Sequence, residues 1–405
     1  MIFSYEAIDK DGATEKGEFQ GASKKEVIDH LEKKGLTPIS IQTLKEKEGT
    51  GLRFSLHLFE KFTALDRIFL VRNLSAMIRA GMNLSETLDI LLADTTKRLM
   101  RAILSRAQLN LQSGQPLSAT FSTYKRFFPS VFIGMLKAGE ASGQLSKVLD
   151  ELGRFMIRDY SLVRKVKSAL MYPILLLIGS VGVVILLLVF VLPRLSKVFE
   201  QSGVELPFVT KVIMSISKAL SFNLFLDLII IGGLVWFFTY FKKTDIGQRF
   251  FLWATFRLPV IKELSKKVAL VKFSRTLGSL ISSGISFIEA LELTADSIGN
   301  EYYRKAILGS VEQVKNGVSF SKTFNDYLDL FPRSLISLIA VGEKTGTMDN
   351  ILKTFADFYD EEVDDTLKDL TTFLEPVLLL AMGFIIGAIA LSILLPIYQL
   401  VGSFR

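Results

Sequence analysis

The chain has 405 residues, of which 49% are hydrophobic and 22% are charged, and its formal net charge is +7. The hydrophobic share is high for a soluble protein, whereas the charged share is too large for a bundle lying wholly in lipid. We therefore expect part of the chain in a bilayer and part in water. Cysteine is absent and only two histidines occur, which excludes disulfides and thiol chemistry and makes a zinc site improbable. The basic residues gather beside apolar runs, at 158–167 and 242–267, which favours membrane lipid over nucleic acid as their partner.

The first 43 residues have the pattern of a small separate ββαβ module. Alternating positions predict a hairpin over residues 3–20. Ser23 and Glu26 then form a capping box for a helix that Gly35 ends, and one short strand follows. Residues 44–62 open with charges and glycines, which is typical of a linker.

Residues 63–172 are predicted to form a bundle of short helices. Their apolar residues recur at spacings of three and four, as on helices with one buried face. Helices are predicted to start at Thr63 with Asp66, at Ser85, at Ser118 and at Pro129. Gly81 is predicted to stop the first of them, and Gly114 a longer helix over residues 97–113.

The chain contains this bundle twice. Subtracting 203 from a landmark in the second half returns the same landmark in the first half, without a gap over most of the bundle. The matched pairs are Phe128 and Phe331, Pro129 and Pro332, Gly139 and Gly342, Glu140 and Glu343, Gly143 and Gly346, and Pro173 and Pro376. A constant offset of this length predicts a duplicated folding unit, with the second bundle at 268–375.

Each repeat ends in an apolar run long enough to cross a bilayer. Residues 173–193 and 376–401 carry no charged side chain, and 19 residues of the first run would form a helix of about 28 Å. Both runs are predicted to be transmembrane helices.

A third apolar run, 222–241, has no partner in the other repeat and carries one acid, Asp227, near its start. Two copies of one soluble bundle should lie on the same side of the membrane, so this run is predicted to be the return crossing. The flanking lysines and arginines make 194–221 a periplasmic loop and 242–267 a cytoplasmic connector by the positive-inside rule. Asp227 then lies near the far interface, where it is expected to snorkel rather than relay protons.

Catalytic chemistry finds little support in the sequence. The run from Gly342 to Thr345 resembles a phosphate loop but lacks the glycine immediately before the lysine and the preceding strand. His30 and His57 fall in the small module and the linker, where a solvated or packing role is expected. We expect no catalytic residue, no metal and no cofactor.

The Gly-Glu motifs allow two interpretations. Gly139 and Gly342 follow helix starts at Pro129 and Pro332, which favours a helix stop and a tight turn, with the glutamate capping the next helix. The alternative is a hinge between the two halves of the bundle, or a contact with a partner.

Charges also differ between the repeats. Arg154 and Arg158 in the first repeat align with Asp357 and Glu361 in the second, each pair four residues apart on one helix face. The faces are either solvated and have drifted in charge, or they meet, within one chain or between neighbours, with opposite charge.

The last apolar run contains a G-x-x-x-G pair, Gly383 and Gly387. Such a pair allows two helices to approach closely, either within the chain or between two copies.

Together these residues resemble the inner-membrane platform proteins of type II secretion and type IV pilus assembly, the general secretion pathway F and PilC group. The resemblance covers nearly the whole chain, and the paired Phe-Pro and Gly-Glu motifs are its most specific part. It includes Leu206, Pro207 and Thr210 in the loop between the spans. It also includes Glu375 before Pro376, where the first repeat has Tyr172.

The resemblance implies a mostly α-helical integral membrane protein with two duplicated cytoplasmic bundles, three transmembrane helices and a small N-terminal α+β module. It also implies a non-enzymatic, oligomeric scaffold in the bacterial inner membrane. The implied partners are a hexameric secretion or pilus ATPase, pilin or pseudopilin, and other inner-membrane assembly components. The alternatives are a small multi-pass transporter, a membrane-bound enzyme and a membrane-bound regulatory scaffold. The choice between secretion and pilus assembly stays open.

Overall fold

The computed structural model describes residues 2–10, 12, 14–21, 23–43, 62–195, 208–221, 240, 244 and 259–403. The mostly helical architecture and the small sheet are confirmed in these residues. The predicted span at 222–241 lies almost wholly outside them, as do nearly all of the predicted linker and most of the connector. The chain forms two compact units, of which unit 1 comprises Met1–Ser161 with Ala269–Tyr359, and unit 2 comprises Leu162–Val268 with Asp360–Arg405.

The N-terminal module has the predicted ββαβ order. Its strands β1 (Ile2–Ile8), β2 (Thr14–Gln20) and β3 (Thr37–Thr43) form an antiparallel sheet in the order β2-β1-β3, and α1 covers Lys24–Lys33. The module does not stand apart from the rest of unit 1. Thr37 and Tyr124 share a buried hydrogen bond of 2.8 Å, and Arg98 binds Glu6 at 2.7 Å. So small a core gains by packing on a larger one.

Bundle 1 consists of α2 to α6 and the first part of α7. Its helices are α2 (Ala64–Arg79), α3 (Leu84–Asp94), α4 (Arg98–Gln112), α5 (Leu117–Thr123), α6 (Ser130–Ala141) and α7 (Leu145–Leu186). Two predicted starts were wrong by one or two residues. Asn83 rather than Ser85 caps α3, because its side chain accepts from the Glu86 amide at 2.8 Å, and α5 begins directly after Pro116 rather than at Ser118.

Bundle 2 repeats this order. After α8 (Phe208–Ser221), its helices are α9 (Pro259–Ser282), α10 (Phe287–Ser297), α11 (Glu301–Lys315), α12 (Phe320–Thr323), α13 (Arg333–Thr345) and the first part of α14 (Met348–Ser403). The first helix of bundle 2 begins at Pro259, so the predicted connector is helical before the bundle's predicted start at 268.

The two bundles share one hydrophobic core within unit 1. Leu74, Phe128 and Leu152 from bundle 1 lie in the same buried cluster as Leu277 and Phe331 from bundle 2. The repeats are therefore halves of one folded body rather than two separate domains.

Helices α7 and α14 run without a break through the predicted boundaries at 172/173 and 375/376. Pro173 lies inside α7 and Pro376 inside α14, so each proline removes a backbone donor without ending its helix. Both helices contain a window long and apolar enough to cross a membrane, with mean hydropathy 3.2 and 2.8.

In unit 2, α8 occupies part of the predicted periplasmic loop, which is thus helical from Phe208 onward. Thr210 donates a hydrogen bond to the Ser392 carbonyl of α14 at 3.0 Å. Ser217 donates to the Leu188 carbonyl, in the π-helical turn Leu187–Val191 that continues α7. Both hydroxyls are buried and bind backbone carbonyls within the two apolar runs.

Candidate functional site

The Phe-Pro motifs fix the start of α6 and of α13. Phe128 is buried against Phe121 and Phe132, with ring centroids 4.6 and 4.8 Å away, and Pro129 precedes the first turn of α6. A proline suits this position because the first helical amides lack intrahelical partners in any case. The motif anchors the helix that carries Gly139.

The second repeat builds the same anchor from a different aromatic set. Phe331 contacts Phe324 at 4.2 Å, Phe273 at 5.1 Å and Tyr303 at 5.3 Å between centroids. Pro332 precedes α13 as Pro129 precedes α6.

Gly139 and Gly342 lie inside helices and do not end them, which corrects the expectation of a helix stop. A Cβ added to Gly139 would lie 2.9 Å from the Val148 Cβ. At Gly342 it would lie 3.0 Å from the Met348 Cα. The glycines are required because the following long helix passes too close for a side chain.

The helices end instead at the third residue of each motif. Gly143 and Gly346 have φ angles of +68° and +71°, the left-handed region in which glycine avoids the Cβ clash. This turn reverses the chain into α7 and α14.

The motif glutamates bind the helix that precedes them in sequence, not the one that follows. Glu140 accepts from the Leu117 amide and, at 3.1 Å, from the Ser118 amide at the start of α5. Each carboxylate was expected to lie at the positive end of a helix, and it does so, but at the other helix. A short helix gains most from such a cap, since its free amides are a large share of its backbone.

Glu343 repeats the cap at α12 with more donors. It accepts from the Phe320 amide at 2.9 Å, the Ser321 amide at 3.3 Å and the Ser319 hydroxyl at 2.7 Å. Burial opposes ionisation of Glu343, but these donors outweigh it and hold its pKa below the ordinary value. Each motif ties three helices together, which favours a fixed joint over a hinge.

The bundles also meet through charged side chains of unit 1. Arg158 on α7 donates to Asp357 on α14 at 2.7 Å, and its carbonyl accepts from Arg275 on α9 at 3.2 Å. About two turns earlier on α7, Glu151 binds Lys353 at 2.8 Å and accepts from the Ser279 hydroxyl at 3.0 Å. Burial raises the pKa of Glu151, but Lys353, Arg154 and Ser279 outweigh it and lower the pKa overall.

The other two candidate contact residues, Arg154 and Glu361, take no part in the contact of Arg158 with Asp357. Arg154 binds Asp150 and Glu151 on its own helix, and Glu361 is exposed on α14, one turn beyond Asp357. Sequence reasoning missed Glu151 and Lys353. Comparison of the repeats could have found them, because Glu151 aligns with Thr354 and Lys353 with Asp150.

In unit 2, α7 and α14 run side by side in the same direction. Lys165 binds Asp360 at 3.0 Å and Asp364 at 2.7 Å, and the Tyr172 hydroxyl lies 3.0 Å from the Glu375 carboxylate. Desolvation lowers the pKa of Lys165, but the two aspartates outweigh it and raise the pKa overall. These polar contacts between α7 and α14 end at Pro173 and Pro376, where the apolar runs begin.

The remaining candidates make fewer contacts. A Cβ added to Gly383 or Gly387 would have open space around it in the part of the chain that the structure describes. Over the same residues, no group of three or more acidic or histidine side chains is arranged to hold a metal ion.

Comparison with known proteins gives matches along nearly the whole chain. The family described as "Type II secretion system (T2SS), protein F" matches residues 70–193 and again 273–396, and its "N-terminal domain" matches residues 1–42. The two longer matches have the same 203-residue offset as the repeats.

Similar curated proteins carry two kinds of name. A "Type IV pilus assembly protein PilC" of Thermus thermophilus is 29% identical over 99% of this chain and 98% of its own. Its counterpart in Myxococcus xanthus is 30% identical over 100% of this chain and 96% of its own. A "Type II secretion system protein F" of Aeromonas hydrophila is 30% identical over 94% of this chain and 98% of its own.

Proposed function

Because the chain belongs to the type II secretion system protein F family, we propose that it is the non-enzymatic inner-membrane platform of a secretion or type IV pilus machine. Its role is to couple a cytoplasmic hexameric ATPase to the extraction and assembly of pilin or pseudopilin subunits. It works as a homo-oligomer in membrane lipid, together with other inner-membrane components.

The shared core of unit 1 supports the membrane topology of this proposal. If the chain crossed the membrane only once between the bundles, they would lie on opposite sides, which is incompatible with Leu74 and Leu277 in one core. The proposal therefore includes a return crossing between α8 and α9, for which the apolar sequence at 222–241 is the candidate. The basic residues that flank the apolar runs support a cytoplasmic location for both bundles.

The two long helices supply the mechanical link. Each starts in the cytoplasmic part and continues, hydrogen-bonded, into its apolar run, so a displacement at one end moves the other. The Lys165 and Tyr172 contacts hold the two helices in register where they enter the membrane. A part built in this way transmits work and needs an external motor.

The first test is co-purification of the full-length chain, in detergent or nanodiscs, with the ATPase from its own genome neighbourhood. The full chain is used because separated bundles would expose their common core. We expect a complex, with ATP hydrolysis due only to the ATPase. A chain that does not bind the ATPase, yet transports or turns over a substrate alone, would overturn the platform assignment.

The second test reads the topology, using a chain that has no natural cysteine. Single cysteines at Ser85 and Asp326, both exposed on the bundles, should react with an impermeant maleimide only after the membrane is opened. A cysteine at Gln201 should react in intact spheroplasts. Labelling of Asp326→Cys in intact spheroplasts would contradict the three-span topology.

A further inference from the structure

The two repeats meet through different surfaces. Side chains of α7 in bundle 1 lie against α9 and α14 of bundle 2. The contacted residues of bundle 2 are Arg275, Ser279, Lys353 and Asp357. Nearby, α6 packs against α10, where a Cβ added to Gly134 would lie 2.6 Å from the Leu293 Cδ1.

Bundle 1 has an equivalent of the surface that α7 contacts in bundle 2, and this equivalent surface is exposed. The residues that align with the four contacted positions are Arg72, Ala76, Asp150 and Arg154. All four line a groove of about 460 Å³ between α2 and α7. Arg275 is 4% exposed under α7, whereas the aligned Arg72 is exposed at the groove. Ile90 on α3, which aligns with Leu293, is 41% exposed. We call Arg72, Ala76, Ile90, Asp150 and Arg154 the acceptor groove.

The surface with which bundle 1 packs on bundle 2 also has an equivalent in bundle 2, and this equivalent surface is exposed. Met135 on α6, the helix that packs against α10, is fully buried, whereas the aligned Leu338 on α13 is 38% exposed. Phe155 packs against the core, but the aligned Phe358 on α14 is 56% exposed. Val341, Thr354 and Glu361 are exposed on the same two helices. We call Leu338, Val341, Thr354, Phe358 and Glu361 the insertion face.

These differences exclude a closed two-fold relation between the repeats. Under two-fold symmetry both copies of the contact would be made, and Leu338 would be as buried as Met135. The contact is instead head-to-tail, so each chain keeps one insertion face and one acceptor groove without a counterpart among its described residues.

We propose that the insertion face of one chain docks in the acceptor groove of a second copy, repeating the contact made within each chain. The charges agree with this pairing. By the 203-residue offset, the contact of Arg158 with Asp357 becomes one of Glu361 with Arg154, in which both charges are exchanged and still attract.

The second ion pair has changed in a matching way. The contact of Glu151 with Lys353 becomes one of Thr354 with Asp150. A glutamate at 354 would face Asp150 and repel it, so its replacement by a neutral residue removes that cost. The exposed aromatic and aliphatic side chains on both surfaces supply the apolar area of the contact.

The pairing specifies the contact between copies in the proposed homo-oligomer. It rests on the proposed function only in placing both bundles on one side of the membrane. It requires no ATPase. It can therefore be tested without that partner, and its failure would leave the ATPase test unaffected.

A cysteine cross-link tests the contact directly. Ser337 aligns with Gly134 and Ile90 with Leu293, the two residues that touch within the chain. An Ile90→Cys chain with one tag and a Ser337→Cys chain with another are co-expressed full-length and oxidised mildly. We expect a disulfide-linked heterodimer that carries both tags, and each chain has only one cysteine, so the link can form only between copies.

Ser85→Cys replaces Ile90→Cys as the control, because Ser85 lies on α3 about 140° around the helix from Ile90. A yield no greater than with Ser85→Cys would overturn the proposal. If added ATPase protected Ile90→Cys and Ser337→Cys from maleimide while no cross-link formed, the surfaces would belong to that partner instead.

Charge reversal separates a specific contact from chance collision. Glu361→Arg or Arg154→Glu alone should lower the cross-link yield about five-fold or more, and the two together should restore it. Glu312→Arg, at an exposed position on α11, should leave the yield unchanged. Equal yields in all these variants would also overturn the pairing.

Discussion

The Tyr172 hydroxyl lies 3.0 Å from the Glu375 carboxylate, although the two residues occupy the same position in the two repeats, 203 residues apart. The contacts of Lys165 with Asp360 and Asp364 lie earlier on both helices, so α7 and α14 run in the same direction towards this pair. The pair lies one residue before the proline at which each apolar run begins. The asymmetry of the two residues is what makes the contact favourable, because two glutamates at this point would repel each other.

The protein should therefore tolerate an exchange of the two residues, but not a glutamate at both positions. Tyr172→Glu puts two carboxylates together and should lower the Tm more than Tyr172→Phe, which loses only one exposed hydrogen bond. Tyr172→Glu with Glu375→Tyr should recover most of the loss. Differential scanning fluorimetry in nanodiscs measures this, with Tyr398→Phe as a control at an exposed tyrosine of α14. Equal Tm values for Tyr172→Glu and Tyr172→Phe would contradict the pairing.

The Arg158 contact predicts a specific rescue. Arg158→Glu should destabilise unit 1 by about 0.5–1 kcal/mol, because the pair with Asp357 is half-exposed. Asp357→Arg in the same chain should restore stability. Glu361→Arg, which the sequence comparison alone nominates equally well, should not restore it.

Urea unfolding of the full-length chain measures these differences, with the exposed Arg164→Glu on α7 as the matched control. Rescue by Glu361→Arg but not by Asp357→Arg would mean that Arg158 pairs differently in solution.

Glu343 predicts a dependence on acid pH. Burial alone would raise the pKa of this carboxyl, but the Ser319, Phe320 and Ser321 donors outweigh it and lower the pKa in the folded state. The ionised form therefore stabilises the fold above the ordinary glutamate pKa, and this stability is lost as the pH falls through the lowered folded value.

Glu343→Gln should thus cost about 1 kcal/mol at neutral pH, and the difference from the unchanged chain should narrow below about pH 4. Unfolding measured as a function of pH tests this, with the exposed Glu312→Gln as the control. A difference that does not change with pH would show that the charge of Glu343 is not what stabilises α12.

The motif glycines predict opposite effects of one substitution. Gly139→Ala and Gly342→Ala place a Cβ within 3.0 Å of the following helix and should each cost about 1–3 kcal/mol. Gly153→Ala on α7 meets its nearest atom at 3.7 Å, and the second repeat already has Ala356 at that position. It should be neutral or stabilising by up to about 1 kcal/mol. Thermal unfolding of the three variants measures these differences in stability. Equal losses of stability in all three would contradict the argument that the following helix passes too close for a side chain.

Local signals in the sequence predicted most of the helices and the sheet. A capping residue, a left-handed glycine or a proline acts over three or four residues, so the box at Thr63 and Asp66 and the turns at Gly143 and Gly346 could be recognised directly. The starts of α3 and α5 were misplaced because Asn83 and Pro116 offered competing signals within two residues. The direction of the Glu140 cap could not be predicted, because the helices before and after it both present a positive end nearby.

The duplication, the apolar runs and their charged flanks were determined by the sequence alone, because they are properties of spacing and composition that survive without any tertiary contact. Which faces of the two repeats meet was decided only by the tertiary structure. Equivalent sequences offer equivalent faces, and the choice between them depends on packing that joins residues about 200 positions apart, as for Arg158 and Asp357. For that reason Arg275 is buried while Arg72, at the same position of the repeat, is left exposed at an open groove.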